Sequence, residues 1–139
     1  MRKELTVMIV EDDDGHAELI REGLVDAGVC NPILRFANGL ECWNHLCENI
    51  RHENHERSVL ILLDINMPIM DGIELLQKIK NHPQLQGTPV VMLTTTDDPR
   101  EVDQCYKIGC NFYITKPVDF PKFAETLKRL GLFIQIVTV

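Results

Sequence analysis

The stretch Val59 to Gly72, VLILLDINMPIMDG, governs the reading of the whole chain. Five apolar residues run without interruption and stop at Asp64. A strand that is apolar on both sides must be covered on both sides, the condition of a strand inside a parallel sheet flanked by helices. After the acid comes a proline. Asp71 then stands three residues before Glu74, a D-x-x-E pattern that caps a helix start. Strand, carboxylate, turn and helix follow one another within a few residues.

The same alternation extends outward. Leu5 to Val10, Ile33 to Ala37, Val90 to Leu93 and Phe112 to Thr115 are further short, apolar, β-branched runs. Between them the apolar spacing becomes helical. Ala17, Ile20, Leu24 and Ala27 share one face, with Gly28 placed to end that helix. Trp43, Leu46, Cys47 and Ile50 share a second, Ile73, Leu76 and Ile79 a third, and Phe123, Leu127 and Leu130 a fourth. Asp98-Pro99-Arg100-Glu101 supplies an N-cap, a proline at the first helical position and an acid at the third. Five βα units with short links predict an α/β fold, an open parallel sheet covered on both faces. The polar stretch Arg51 to Ser58 is longer than most such links and is expected to be a surface loop.

Composition narrows the function. With 139 residues, 45% hydrophobic and 25% charged, the chain suits one globular domain. Its formal net charge of -7 and lack of a Lys/Arg block argue against nucleic-acid binding. No apolar run is long enough for a membrane span, and the start MRKELTVMIVEDD does not read as a signal peptide. The expected location is the cytoplasm. Five cysteines without a CxxC suggest reduced thiols packed as small hydrophobes. His45, Cys47, His52 and His55 lie close in sequence, but their spacing fits no zinc pattern, and a helix end followed by a polar loop is the simpler reading.

In an open parallel sheet, ligands bind beyond the carboxyl ends of the strands. The first run ends in Glu11, Asp12 and Asp13, the third in Asp64, the fourth in Thr94 and the fifth in Lys116. Any one acid at a strand end is ordinary; the joint set of acid pair, single acid, hydroxyl and lysine is not. Glu11, Asp12 and Asp64 brought together would repel one another and raise each other's pKa. A hard, oxygen-loving cation such as Mg²⁺ relieves that repulsion. A carboxylate beside such an ion can attack a phosphoryl group, and lysine and hydroxyl donors stabilise the charge on the transferred oxygens. No GxxxxGK and no Gly-rich phosphate loop is present, so the donor must bring its own activated phosphate.

VMIVEDDDGHAELI, LLDINMPIMDG, PVVMLTTT and YITKP resemble, in order and spacing, the motifs of CheY-like response regulator receiver domains, from about Val7 to Leu130. The resemblance implies a flavodoxin-like, doubly wound sheet of five parallel strands in the order 2-1-3-4-5 with five helices. It implies that Asp64 is the phosphoacceptor, that Asp12 and Glu11 bind Mg²⁺ together with Asp64, and that the backbone carbonyl of Asn66 adds a ligand. Lys116 pairs with the phosphoryl group, with a cis Lys116-Pro117 bond. Thr94 and Tyr113 are the switch pair, Asn66 and Thr96 tune the phosphoaspartate lifetime, and Asp13 begins the helix-1 cap. The first acid is Glu where many receivers have Asp, a swap common in the family.

EDDDGHAELI, TTTDDPREVDQCYKIGCNFYITKPVDF and RLGLF are similar to small stand-alone regulators that partner phytochrome-type sensor histidine kinases. A single-domain two-component regulator is therefore expected, one that takes its phosphoryl group from a histidine kinase and works through protein contacts. It turns over no external substrate. Residues 1–131 form the receiver domain. The apolar, β-prone tail 132–139 either docks on its own domain or pairs with a second copy in a dimer. A receiver that dimerises or scaffolds independently of phosphate is one rival, and two others fit less well. An aspartyl-phosphate phosphatase usually wants a second acid where Asn66 stands, and a flavin binder wants a phosphate loop where EDDDGH stands.

Overall fold

The computed structural model describes residues 5–51, 58–95, 98–116 and 120–138. The chain alternates strand and helix: β1 (Leu5–Val10), α1 (Asp14–Asp26), β2 (Ile33–Phe36), α2 (Gly39–Arg51), β3 (Ser58–Leu63), α3 (Gly72–Asn81), β4 (Val90–Thr94), α4 (Pro99–Ile108), β5 (Phe112–Thr115) and α5 (Phe120–Thr138). The strands form one parallel sheet in the order β2-β1-β3-β4-β5, as the resemblance implied.

The uninterrupted apolar runs are explained by two cores. Alternate residues of a strand face opposite sides. Met8, Val10, Ile61, Leu63 and Met92 pack with Cys42, Leu46, Leu75, Leu76, Ile79 and Cys105 on the side of α2, α3 and α4. Val7, Ile9, Leu60, Leu62, Val91 and Leu93 pack with Ile20, Leu24, Phe123, Leu127 and Leu130 on the side of α1 and α5. The central strands are buried, whereas the edge strands β2 and β5 are partly exposed.

Helix starts are fixed by the residues expected to cap them. Asp13, Asp71 and Asp98 accept hydrogen bonds from the backbone N–H groups of His16, Glu74 and Arg100. Asn38 does the same for Glu41, whose own carboxylate reaches back to the Ala37 N–H at 3.1 Å. At the end of α1, Gly28 adopts φ +101°, a left-handed conformation that glycine takes without strain.

The C-terminal segment docks on its own domain, one of the two expected outcomes, but as helix rather than as a β-prone tail. Residues 132–138 are neither a strand nor a separate tail; α5 runs unbroken from Phe120 to Thr138. Gly131 does not end the helix. It lets α5 approach α1, since a Cβ there would lie 2.6 Å from the Cβ of Ala27. Beyond it, Ile134 is fully buried in the α1–α5 core. The Gln135 amide donates to the Ala27 carbonyl at 2.9 Å, capping the end of α1. The packing of α5 on α1 outweighs the β propensity of the sequence.

Cys42, Cys105 and Cys110 are buried, Cys47 is half-buried and Cys30 is exposed, so the expectation of packed thiols holds for three of the five. Burial pushes the Cys42 thiol up to about 12 and that of Cys105 to about 11. His52 and His55 lie outside the described residues.

Ile69, in the link between β3 and α3, has φ 72° and is 75% exposed. For a β-branched residue the left-handed region is strained by about 1–2 kcal/mol, and so open a side chain recovers little by packing. Ile69→Asn is expected to stabilise the protein by about 1 kcal/mol, read as a higher urea midpoint at unchanged slope. An unchanged or lower midpoint contradicts the strain.

Candidate functional site: a buried acid, hydroxyl and lysine cluster

The strand ends meet at one edge of the sheet. Among the described residues, five polar or charged residues are buried: Thr6, Glu11, Asp64, Thr94 and Lys116. Four of them are the residues that chemistry at the strand ends had singled out. Burying such groups is costly unless they pair, so their concentration marks a built site.

Backbone continuity places them. The ladder extends past the strand ends, with the Glu11 N–H donating to the Phe36 carbonyl and the Asp64 N–H to the Val10 carbonyl, both at 3.0 Å. The Lys116 N–H donates to the Thr94 carbonyl at 2.6 Å. Below Asp64, Gly72 brings the start of α3 against the β3 end. A Cβ on Gly72 would lie 2.2 Å from the Asp64 carbonyl oxygen and 2.8 Å from the Ile65 Cα. That contact, rather than a positive φ, accounts for glycine in the MDG string.

Glu11, Asp12 and Asp64 each present an oxygen within a 4.8 Å cluster. Glu11 and Asp64 are buried, whereas Asp12 is exposed. Lys116 Nζ pairs closely with Glu11 Oε1 and stands 3.9 Å from Asp64 Oδ2. Burial pushes the Glu11 carboxyl up, the Lys116 hydrogen bond opposes this, and the Asp64 carboxylate adds to the rise. The donor set is all oxygen, with two carboxylates buried together, and so fits a hard divalent cation better than zinc.

Tyr113 is half-buried on β5 and packs against the core on the α4 side. Because the N–H of Lys116 faces β4, that of Tyr113 points to the open edge of the sheet, where it donates to the Tyr106 hydroxyl at 3.0 Å. Asn66 is exposed beside the site. Thr96 and Pro117 lie outside the described residues, and the expected cis Lys116-Pro117 bond with them. Asp13 serves as the α1 cap.

Two neighbours of the cluster had drawn no attention in the sequence. Arg35, on β2, donates from Nε and one terminal nitrogen to the Glu11 carbonyl and from the other terminal nitrogen to Asp14. His16 Nδ1 lies 3.9 Å from Glu11 Oε1. The one available signal for Arg35 was a lone cation inside ILRF, near the functional end of its strand.

A five-stranded 2-1-3-4-5 sheet with acids, a hydroxyl and a lysine at its carboxyl edge defines a receiver, and residues 7–128 match the response regulator receiver domain family, to which this chain belongs. Its relatives include phytochrome response regulators. Rcp1 of Synechocystis sp. is 36% identical over 110 residues, covering 79% of this chain and 75% of Rcp1. A receiver domain from Rhodospirillum rubrum is similar in structure at TM-score 0.86 and 43% identity, over 94% of each chain. The phosphorylated cyanobacterial phytochrome response regulator RcpA is similar at TM-score 0.83 and 32% identity, over 94% of this chain and 93% of that one. Rcp1 has also been solved in a Mn²⁺-bound form, similar at TM-score 0.82 and 30% identity, with 92% of each chain covered. Receiver domains are phosphoacceptors that partner histidine kinases and bind Mg²⁺ or Mn²⁺ at an acidic pocket. No helix among the described residues is long and apolar enough to cross a membrane.

Proposed function

We propose that this chain is a cytoplasmic response regulator that takes a phosphoryl group onto Asp64 from a histidine kinase, in the phytochrome-type class its relatives suggest, and signals through protein contacts. One observation carries the reading: Asp64 is buried between Glu11, Asp12 and Lys116 at the carboxyl edge of the sheet. An Asp64 oxygen attacks phosphorus, the bond from phosphorus to the donor's imidazole nitrogen breaks, and the departing imidazole keeps the electron pair. Glu11, Asp12, Asp64 and the Asn66 carbonyl would hold a Mg²⁺ ion, which would neutralise charge on the transferred oxygens. Lys116, 3.9 Å from Asp64 Oδ2, is assigned to pair with the phosphoryl oxygens once it leaves Glu11, and Thr94 to donate its hydroxyl. Thr96 and Asn66 are assigned to the lifetime of the product. Phosphodonor and Mg²⁺ followed by intact mass tests the reading, and no gain of a phosphoryl group under any donor would end it.

Asn66 stands where a phosphatase would carry its second acid, so the site is assigned to self-phosphorylation and self-hydrolysis without turnover of an external substrate. Phosphorylation adds about two negative charges, draws Thr94 toward Asp64 and opens space for Tyr113 to turn inward.

The raised Glu11 carboxyl has a pH consequence. Above its ordinary value of 4.5 and below its raised folded value, the native chain holds more protons than the unfolded chain. Metal-free stability is therefore expected to fall as pH rises through that window, and Glu11→Gln removes this component. Superimposable stability–pH profiles for the two proteins contradict it. At neutral pH, Mg²⁺ at a hundredfold excess over its dissociation constant is expected to add about 2.7 kcal/mol.

A homodimer is the second part of the proposal. Leu132 and Ile136 are exposed on one face of α5, beside Phe133, whose ring meets the exposed Phe112 of β5 edge-on at 5.4 Å. An apolar stripe of this kind on an α5–β5 face suits a second copy. Truncation after Leu130 would remove the buried Ile134, so the informative variant is Ile136→Glu, at a side chain 72% exposed. It is expected to shift the light-scattering mass from dimer to monomer at unchanged thermal stability. A wild-type monomer at high concentration removes the dimer.

A further inference from the structure

We propose that Arg35 is a positioning residue for the metal-binding acids, acting through the backbone of Glu11; this rests on the phosphoacceptor reading above. Arg35 lies opposite Ile9 in the β1–β2 register, and its guanidinium turns over the end of β1. Nε and Nη2 both donate to the Glu11 carbonyl, at 3.0 and 2.8 Å, and Nη1 donates to Asp14 Oδ1 at 2.7 Å. One planar fork thus ties the last carbonyl of the β1 extension to the first residue of α1. Between those anchors lie Asp12 and Asp13, the exposed part of the acid turn.

That turn needs an external tie. It holds four consecutive acids, Glu11 to Asp14, whose mutual repulsion favours spreading apart. Glu11 is buried and paired with Lys116, but Asp12 is exposed, and among the described residues no hydrogen bond is made by its side chain. Its position depends on the backbone, and Arg35 holds the Glu11 carbonyl just before it and the Asp14 carboxylate two residues after it. A lysine cannot replace this arrangement, since its point charge cannot engage two acceptors in one plane.

Positioning and simple electrostatics predict opposite signs. Arg35 is a cation close to a cation site, so its charge alone weakens Mg²⁺ binding, and neutralising it would tighten binding. If it holds the acids in place, neutralising it weakens binding about 10-fold or more, as loss of supporting contacts around metal ligands does. The experiment is Mg²⁺ titration by calorimetry, with Mn²⁺ by paramagnetic resonance as a second probe, on wild type, Arg35→Gln and Arg35→Lys, alongside metal-free thermal melts. We expect both variants to lose about 10-fold in affinity, Lys no better than threefold short of Gln, with melts that remain cooperative. Unchanged or tighter binding in Arg35→Gln overturns the proposal, as does full affinity in Arg35→Lys, which would leave charge alone at work. If Arg35→Gln does not fold, Arg35→Lys decides, since it keeps the charge and loses the two-acceptor fork: a loss of about 10-fold is expected, and unchanged affinity overturns the proposal. A wild type that binds neither ion defeats the phosphoacceptor reading itself, a result distinct from any of these.

Discussion

Asp64→Asn is expected to abolish incorporation of the phosphoryl group from acetyl phosphate while leaving the fold intact. The amide is nearly isosteric with the carboxylate, so the packing below it, where Gly72 meets the Asp64 backbone, is undisturbed. It lacks the anionic oxygen that attacks phosphorus, and no other described carboxylate is both buried and within reach of Lys116 except Glu11, which the lysine already engages. Intact mass should show a Mg²⁺-dependent gain of one phosphoryl group in the wild type and none in the variant. Metal-free stability should hold or rise slightly, because the variant relieves the repulsion that Asp64 exerts on Glu11. A variant that gains the group as readily as the wild type would move the acceptor elsewhere. In the same samples Tyr113 should change environment on addition of beryllofluoride in the wild type alone; identical Tyr113 signals remove it from the switch.

Gly72→Ala is the second large effect, at a residue with no chemistry of its own. The added methyl would meet two backbone atoms, the Asp64 carbonyl oxygen and the Ile65 Cα, that cannot swing aside as a side chain can. Either α3 retreats from the end of β3 or Asp64 is pushed out of line. Overpacking of this kind costs about 1–3 kcal/mol, occasionally more. Because the strain falls on the acceptor's own backbone, phosphorylation should slow as well. Gly87→Ala is the matched control, since a Cβ at Gly87 meets nothing within 4 Å. Equal stability in the two variants would show that α3 does not need its close approach to β3.

The contrast between these sites and α5 shows what a linear sequence carries. Asp64, Glu11 and Thr94 were legible because a doubly covered strand is apolar nearly throughout, so the polar residue at its carboxyl end stands out; Lys116 follows the partly exposed edge strand β5 and was legible only as one of the joint set of acids, hydroxyl and lysine at the strand ends. The caps at Asp13, Asp71 and Asp98 were legible because a cap is local, and the Asn38–Glu41 pair is equally local. The extension of α5 was not legible. GLFIQIVT reads as a strand on local preference, and its helical state depends on Ala27 and Leu24, more than a hundred residues earlier. Arg35 was hidden for a related reason. Its partners, Glu11 and Asp14, become neighbours only once β2 is laid beside β1. The strain at Ile69 depends on a backbone angle that the residue's identity argues against.

The length of α5 has a practical consequence. Nineteen residues of helix span about 28 Å, and the segment starts after β5, on the side of the acid cluster, and finishes near the opposite rim of the sheet. A fluorophore or fusion joined to its far end sits on a stiff rod clamped to α1 by Ile134 and Gln135, remote from Asp64. Such a label would leave the acid cluster clear and report tilts of the rod itself, with little blurring from a slack tether.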